Sequence, residues 1–371
     1  MGFSCGIVGL PNVGKSTIFN ALTSAKAAAA NYPFCTIEPN TGAVPVPDPR
    51  LEVLAKVAKS EKIVPTQITF VDIAGLIRGA SKGEGLGNQF LGHIRAVDAV
   101  AHVVRCFEDD DVVHVDGGID PIRDIETIDT ELLLSDLDAV TKLLTKIEKV
   151  AKSGDKEAKA AFSILTELEK HLAAGHPARS FVHSSASVEE VSAHTKSLLT
   201  GKPTMFVANV AEGDVLAVPE IGGSRPLDKV AAHAAKVKAD IVVISGKVES
   251  EIAEIAVEER REYLAALGLT NSGLDRMTLA GYHLLSLVTF FTVGPKETHA
   301  WTVQKGTKGP QAAGKIHSDF EQGFIRAEVI SYNAYVTAGS EVKAKEAGQL
   351  RIEGKEYEIQ DGDIVHFRFN V

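Results

Sequence analysis

The chain has 371 residues, enough for two or three domains. Its hydrophobic fraction of 44% and charged fraction of 24% exclude wholesale disorder, and no apolar run approaches the ~20 residues of a membrane-spanning helix. The formal net charge of −10 is localised: residues 101–140 carry twelve carboxylates against two arginines, whereas the first hundred residues come to +2. The acidic stretch therefore reads as a solvated face, and the rest of the surface stays free to approach RNA. Cys5, Cys35 and Cys106 are odd in number and widely spaced, with no CxxC. That argues against a disulfide framework or zinc site and fits the reducing cytoplasm, where the chain is expected to reside.

In chain order, Phe3–Val8 reads as a short buried strand, followed by the Gly-rich turn Gly9–Lys15 and a helix from about Lys15 to Leu22. Apolar, β-branched runs recur at Gln67–Ile73, Ala99–Cys106, Thr204–Asn209 and Asp240–Ser245, separated by helical stretches. Strands alternating with helices predict an α/β fold with a doubly wound, mostly parallel sheet. From Ile125 to about Leu172 the pattern is purely helical. Leu133, Leu137, Val140, Leu144 and Ile147 form a coiled-coil-like seam, Ser153-Gly154-Asp155 breaks it, and Phe162, Leu165, Leu168 and Leu172 resume it. This predicts an inserted antiparallel helical hairpin, whose stripe is read as packing. Beyond Gly268, strands at Leu287–Thr292, His299–Val303, Phe324–Ile330 and Ile364–Phe369 surround a short helix near Pro310–Ile316. Val365, Phe367 and Phe369 alternate with His366 and Arg368, as expected of a half-buried strand. The expected division is 1–124 with 200–280 as a nucleotide domain, 125–199 as the hairpin, and 283–369 as a small β domain.

Gly9-x4-Gly14-Lys15-Ser16 is a complete Walker A motif between strand and helix. Its glycines let backbone N–H groups curl around phosphate oxygens at a helix N-terminus, Lys15 reaches the β- and γ-phosphates, and the Ser16 hydroxyl takes a position on Mg²⁺. A chance match in such a chain has a probability of roughly 1%. The phosphate-loop candidates are Asn12, Val13, Gly14, Lys15, Ser16 and Thr17. Asp72 ends a strand in Asp72-Ile73-Ala74-Gly75, offering a carboxylate to the metal and, at Gly75, an amide to the γ-phosphate. Thr36, in the loop after the first helix, completes the metal set of Ser16, Thr36 and Asp72. Together these describe a switch NTPase whose loops are held by the γ-phosphate.

Asn12–Ser16, Asn31–Pro39 and the run from Asp72 through Arg95, with Gly79, Gly83, Gly85 and Gly87 followed by Phe90-Leu91-x-His93-x-Arg95, resemble the Obg group of P-loop NTPases. Within it the chain is similar to the YchF, or Obg-like ATPase, subfamily over essentially its whole length. The resemblance implies a P-loop domain with inserted coiled-coil hairpin and a terminal β-grasp domain of TGS type. It also implies association with the ribosome, and rRNA with it; neither a membrane nor DNA is an expected partner.

GTPases read guanine with Asn-Lys-x-Asp after a late strand. Here the position holds Asn209-Val210-Ala211-Glu212, with no lysine and with a longer, displaced carboxylate. Losing the aspartate removes the selection against adenine. In the resembling subfamily this goes with ATP preference, and the resemblance implies that Asn209 and Val210 line the adenine pocket. Ser245-Gly246-Lys247 resembles the base-side loop that usually reads Ser-Ala-Lys, so Ser245 joins Glu212 among the base-side candidates. Leu76 stands where many GTPases keep a water-positioning glutamine. His114 matches a loop histidine that the family is thought to use instead, making His114, Lys15 and Gly75 the catalytic candidates; a surface histidine among carboxylates is the other reading of His114. Asn12 lies where related potassium-dependent NTPases hold K⁺. The expected function is an ATP-hydrolysing, Mg²⁺-dependent switch cycling between ATP and ADP. The rivals are a ribosome-associated GTPase of the same architecture and a scaffold with negligible turnover.

Overall fold

The computed structural model describes residues 2–27, 40–75, 86–109, 118–220 and 222–370. They divide into two compact units, one of residues 3–42 and 69–281, the other of residues 43–68 and 282–371.

The first unit is built on a sheet of β1 (Ser4–Val8), β2 (Thr41–Pro45), β4 (Gln67–Asp72), β5 (Ala99–Arg105), β6 (Thr204–Asn209) and β7 (Ile241–Ile244), in the order β2-β4-β1-β5-β6-β7. The pairs β4–β1, β1–β5, β5–β6 and β6–β7 are all parallel, as the alternation of strands and helices predicts. All seven residues of β5 are buried, as expected of a strand covered on both faces. The register aligns the strand ends. Ile7 lies opposite Asp72, and Arg105 opposite Asn209, which lies opposite Ile244. Each strand therefore delivers its following loop to one carboxyl edge, where ligands of open α/β sheets bind.

The hairpin consists of helices Pro121–Lys152 and Lys156–Ala173. The first starts on an Asp120 cap followed by Pro121 at its first position. It breaks at Ser153-Gly154, where Gly154 adopts φ 102°, and Asp155 caps the second helix by accepting from Ala158 N at 2.7 Å. The predicted seam is the packed face: Val140 and Leu144 meet Ile164, Leu165, Leu168 and Leu172, with Leu133, Leu137, Ile147 and Phe162 at the margin. Buried Asp136 ties the hairpin to the returning chain, accepting from Leu199 N and Thr200 N, each at 2.8 Å.

The second unit carries a sheet of β3 (Lys62–Val64), β8 (Leu287–Val293), β9 (Glu297–Gln304), β10 (Phe324–Ser331), β11 (Arg351–Glu353) and β12 (Asp363–Phe369), in the order β11-β10-β12-β8-β9-β3. The final strand runs parallel to β8 and antiparallel to β10. A β8–β9 hairpin, a crossing helix Gly309–Ile316 and a last strand inserted beside the first make the β-grasp arrangement. Val365 and Phe367 enter the core with Phe290, Ala312 and Phe324, while His366 and Arg368 are exposed, matching the predicted alternation.

One boundary differs from the expectation. Residues 43–68, read as part of the 1–124 block, cluster with the second unit. β3 pairs with β9, Lys62 opposite Glu297, and the helix Pro49–Ala58 packs Leu51 and Leu54 against Phe291, Ile330 and Ile364. Arg50 bridges Asp48 at 2.8 Å and Asp361 at 2.6 Å. Periodicity reports an element's buried face and is silent on which distant strand covers it.

Candidate nucleotide-binding site

The loop after β1 turns through two left-handed residues, Asn12 (φ 63°) and Gly14 (φ 93°). Gly14 has no room for a side chain, because a Cβ there would lie 2.2 Å from Asn209 Nδ2. Val13 buries its side chain and offers only its backbone to the loop. Ser16 and Thr17 stay exposed on the first turn of the helix Lys15–Ala27, where an anion is favoured.

Lys15 is nearly buried, and its ammonium donates to Leu10 O at 2.7 Å. Burial pushes its pKa down to about 8 against the opposing pull of Asp72. Asp72, at the end of β4, accepts a long contact of 3.4 Å from Ser16 Oγ. Its other oxygen, Oδ1, is buried without a hydrogen-bond partner among the described residues, and burial raises the carboxyl pKa, with Lys15 and Ser16 pulling it back. An orphaned carboxylate oxygen beside a hydroxyl is the donor chemistry that a hard dication takes, so these residues fit Mg²⁺. A Cβ on Gly75 would come within 3.2 Å of both Lys15 Nζ and Pro11 N, so Gly75 lies against the phosphate loop. Thr36, Leu76 and His114, with Gly79, Gly83 and Gly85, lie outside the described residues.

A cavity of about 890 Å³ extends from Asn12, Gly14, Lys15, Ser16 and Thr17 to the ends of β5, β6 and β7. Asn209, Val210, Glu212 and Ser245 all line it, so the structure brings the base-side candidates to the phosphate loop. Buried Asn209 acts as a tie: Nδ2 donates to Val13 O, and Oδ1 accepts from Gly246 N, both at 2.9 Å. One N–H and one lone pair remain for a base. Glu212 is engaged by Lys247 at 2.9 Å, and that hydrogen bond raises the lysine pKa. Ser245 Oγ is buried with no hydrogen-bond partner among the described residues.

Sequence reasoning missed Phe107, Glu108 and Asp109 as lining residues, along with Glu251 and Glu254, whereas Lys247 belongs to the expected base-side loop. The first three follow the carboxyl end of β5, a position that marks them as site residues once the sheet is parallel. Buried Arg105 shapes that loop, donating from Nε to Phe107 O and from Nη2 to Asp109 O, each at 3.1 Å, with its guanidinium 4.6 Å from the Phe107 ring centre. Five carboxylates, Glu108, Asp109, Glu212, Glu251 and Glu254, line the same cavity as Lys15. Their repulsion of a polyphosphate favours its placement at Lys15. Cys5 and Cys106 are buried thiols whose pKa values burial pushes up to about 12, so neither is a nucleophile.

Comparison with known proteins agrees with this geometry. Residues 4–146 match a family model described as "50S ribosome-binding GTPase", and residues 287–370 match the C-terminal model of YchF GTPases, described as a protein of unknown function. The chain is 54% identical to the ribosome-binding ATPase YchF of Haemophilus influenzae and 52% identical to that of Bacillus subtilis, with 100% of each chain covered. The solved structure of the Schizosaccharomyces pombe YchF GTPase superposes with a TM-score of 0.88 at 37% identity, covering 99% of this chain and 98% of that one. With its phosphate loop, altered base-side loop and terminal β-grasp unit all inside that full-length likeness, the chain belongs to the YchF family.

Proposed function

We propose that this chain is a cytoplasmic, Mg²⁺-dependent ATPase switch that prefers ATP to GTP and works on the ribosome. The observation that carries the reading is a complete phosphate loop facing Asp72, whose Oδ1 lacks a partner and whose Oδ2 lies 3.4 Å from Ser16 Oγ. Ser16 and Asp72, with Thr36, would hold the metal. Bound there, Mg²⁺ would neutralise charge on the β- and γ-phosphate oxygens. Lys15 uses one N–H on Leu10 O and keeps two for those oxygens, and the Gly75 amide is assigned to the γ-phosphate. Water attacks the γ-phosphorus, the bond to the bridging oxygen breaks, and ADP and phosphate leave. His114 is assigned to orient that water, since Leu76 has no polar atom. His114→Ala should then keep ATP affinity while lowering kcat ~10²-fold or more. Asn12 is assigned to K⁺, tested by replacing K⁺ with Na⁺ in the turnover assay.

ATP preference is supported by the base end of the cavity. Glu212 is held by Lys247 rather than poised for the guanine N1–H, while Ser245 Oγ is free to pair with a base edge. Val210 supplies an apolar wall where a lysine stem would lie in a guanine site. Ribosome binding is supported by the full-length relatives named ribosome-binding ATPases. Titration of the purified protein with ATP and GTP in Mg²⁺, with turnover measured with and without 70S ribosomes, tests the reading. Equal or reversed affinities leave the GTPase reading standing, and absence of turnover in both conditions leaves the scaffold.

A further inference from the structure

The helical hairpin is electrically polarised. Its root, residues 121–141, carries six carboxylates and one arginine, whereas the tip, residues 142–159, carries six lysines and three carboxylates. All six lysines are exposed. Two are paired within their own helix, Lys142 with Asp138 at 2.6 Å and Lys152 with Glu148 at 2.7 Å. Asp155 is occupied in capping. Lys146, Lys149, Lys156 and Lys159 have no ion-pair partner among the described residues.

Helix stability accounts for Lys149 alone of these four. Lys149 sits near a helix C-terminus, where a cation is favourable, but Lys156 and Lys159 open the second helix, at the end where a cation is unfavourable. Lys142 and Lys146, Lys146 and Lys149, and Lys156 and Lys159 also lie three or four residues apart, as like-charge neighbours. The charge is therefore held against local preference. At 1.5 Å per residue, Lys149 stands about 42 Å along the first helix from its start.

We propose that the hairpin tip is a docking surface for the phosphate backbone of ribosomal RNA, with Lys146, Lys149, Lys156 and Lys159 each contacting a phosphate. The proposal rests on the ribosome reading above and names the surface and chemistry that serve it. The acidic root is repelled by the same polyanion, so engagement is confined to the tip and the helix points into the RNA end-on. Four ammonium groups recognise backbone, not sequence.

The test uses the full chain with all four lysines changed to glutamine and a second variant with all four changed to arginine, measured against 70S ribosomes and against protein-free ribosomal RNA from 50 to 200 mM salt. Four phosphate contacts contribute a log–log salt slope of about 3, or about 10²-fold in affinity over that range. The glutamine variant should lose that component on both targets, the arginine variant should keep it, and basal ATPase activity should be unchanged in both. A glutamine variant with the parent's affinity and slope overturns the proposal. Weakened ribosome binding with unchanged RNA binding also overturns it, pointing to an acidic protein surface. If the parent itself does not bind ribosomes, the ribosome reading fails, while the RNA arm still decides the chemistry of the tip.

Discussion

The phosphate end of the cavity is built largely from backbone, and the base end from side chains. At the first, a Cβ on Gly14 would collide with Asn209, one on Gly75 would press against Lys15 and Pro11, and Val13 contributes main chain only. At the second, Glu212 with Lys247, and Ser245 alone, are side chains that can be exchanged without moving the chain. Phosphate recognition is thereby fixed in the fold, whereas base choice rests on a few replaceable groups. A family of switches can thus change its nucleotide without changing its fold.

The largest expected effect lies at the fixed end. Lys15→Ala should lower kcat by ~10²–10³-fold, since the ammonium offsets charge on the transferring phosphoryl. Single-turnover hydrolysis with saturating Mg²⁺ measures it, and a loss under tenfold would detach Lys15 from the chemistry.

The same lysine sharpens the contrast through pH. Its pKa of about 8 in the free protein means that binding a polyphosphate, which favours the charged amine, must restore a proton at higher pH. ATP affinity should be flat below pH 8 and fall about tenfold by pH 9, with proton uptake seen as a buffer-dependent binding enthalpy. Tripolyphosphate should show the same profile, because the effect belongs to the phosphate end.

Ser245→Ala should do the reverse. It removes one buried hydrogen bond to the base and should weaken ATP about 3–10-fold, leaving tripolyphosphate unaffected. Equal weakening of both ligands would mean that the hydroxyl supports the phosphate loop instead.

The smallest effect is expected from Lys247→Ala. The pair with Glu212 is exposed on both sides, so thermal melts of the variant and the parent should coincide. The ATP-to-GTP affinity ratio should nevertheless shift toward GTP, because Glu212 is released.

The phosphate end was also the legible end. A contiguous run from Gly9 to Ser16 carries its whole chemistry, and Asp72 announced itself by closing a strand. The hairpin was legible for a similar reason, as Leu133 to Ile147 keep one seam. The rest depends on meetings that sequence proximity does not report. Phe107, Glu108, Asp109 and Glu251 reach one cavity only because β5, β6 and β7 end in register. The lysine tip escaped because the acidic stretch, counted to residue 140, ends just where the basic one begins, and their sum conceals both. Residues 43–68 were misplaced because their covering strand, β9, comes far later in the chain.

That last pairing sets a timetable for synthesis. Lys62 and its partner Glu297 are separated by about 235 residues, which take roughly 10–50 s to translate at ordinary elongation rates. For that interval the helix Pro49–Ala58 has emerged with Leu51 and Leu54 facing outward, and no β9, β10 or β12 yet exists to receive them. The nascent chain therefore carries an uncovered apolar helix while the strands around it are still being made. Pausing anywhere between the codons for Lys62 and Glu297, those of the hairpin included, would lengthen that exposure.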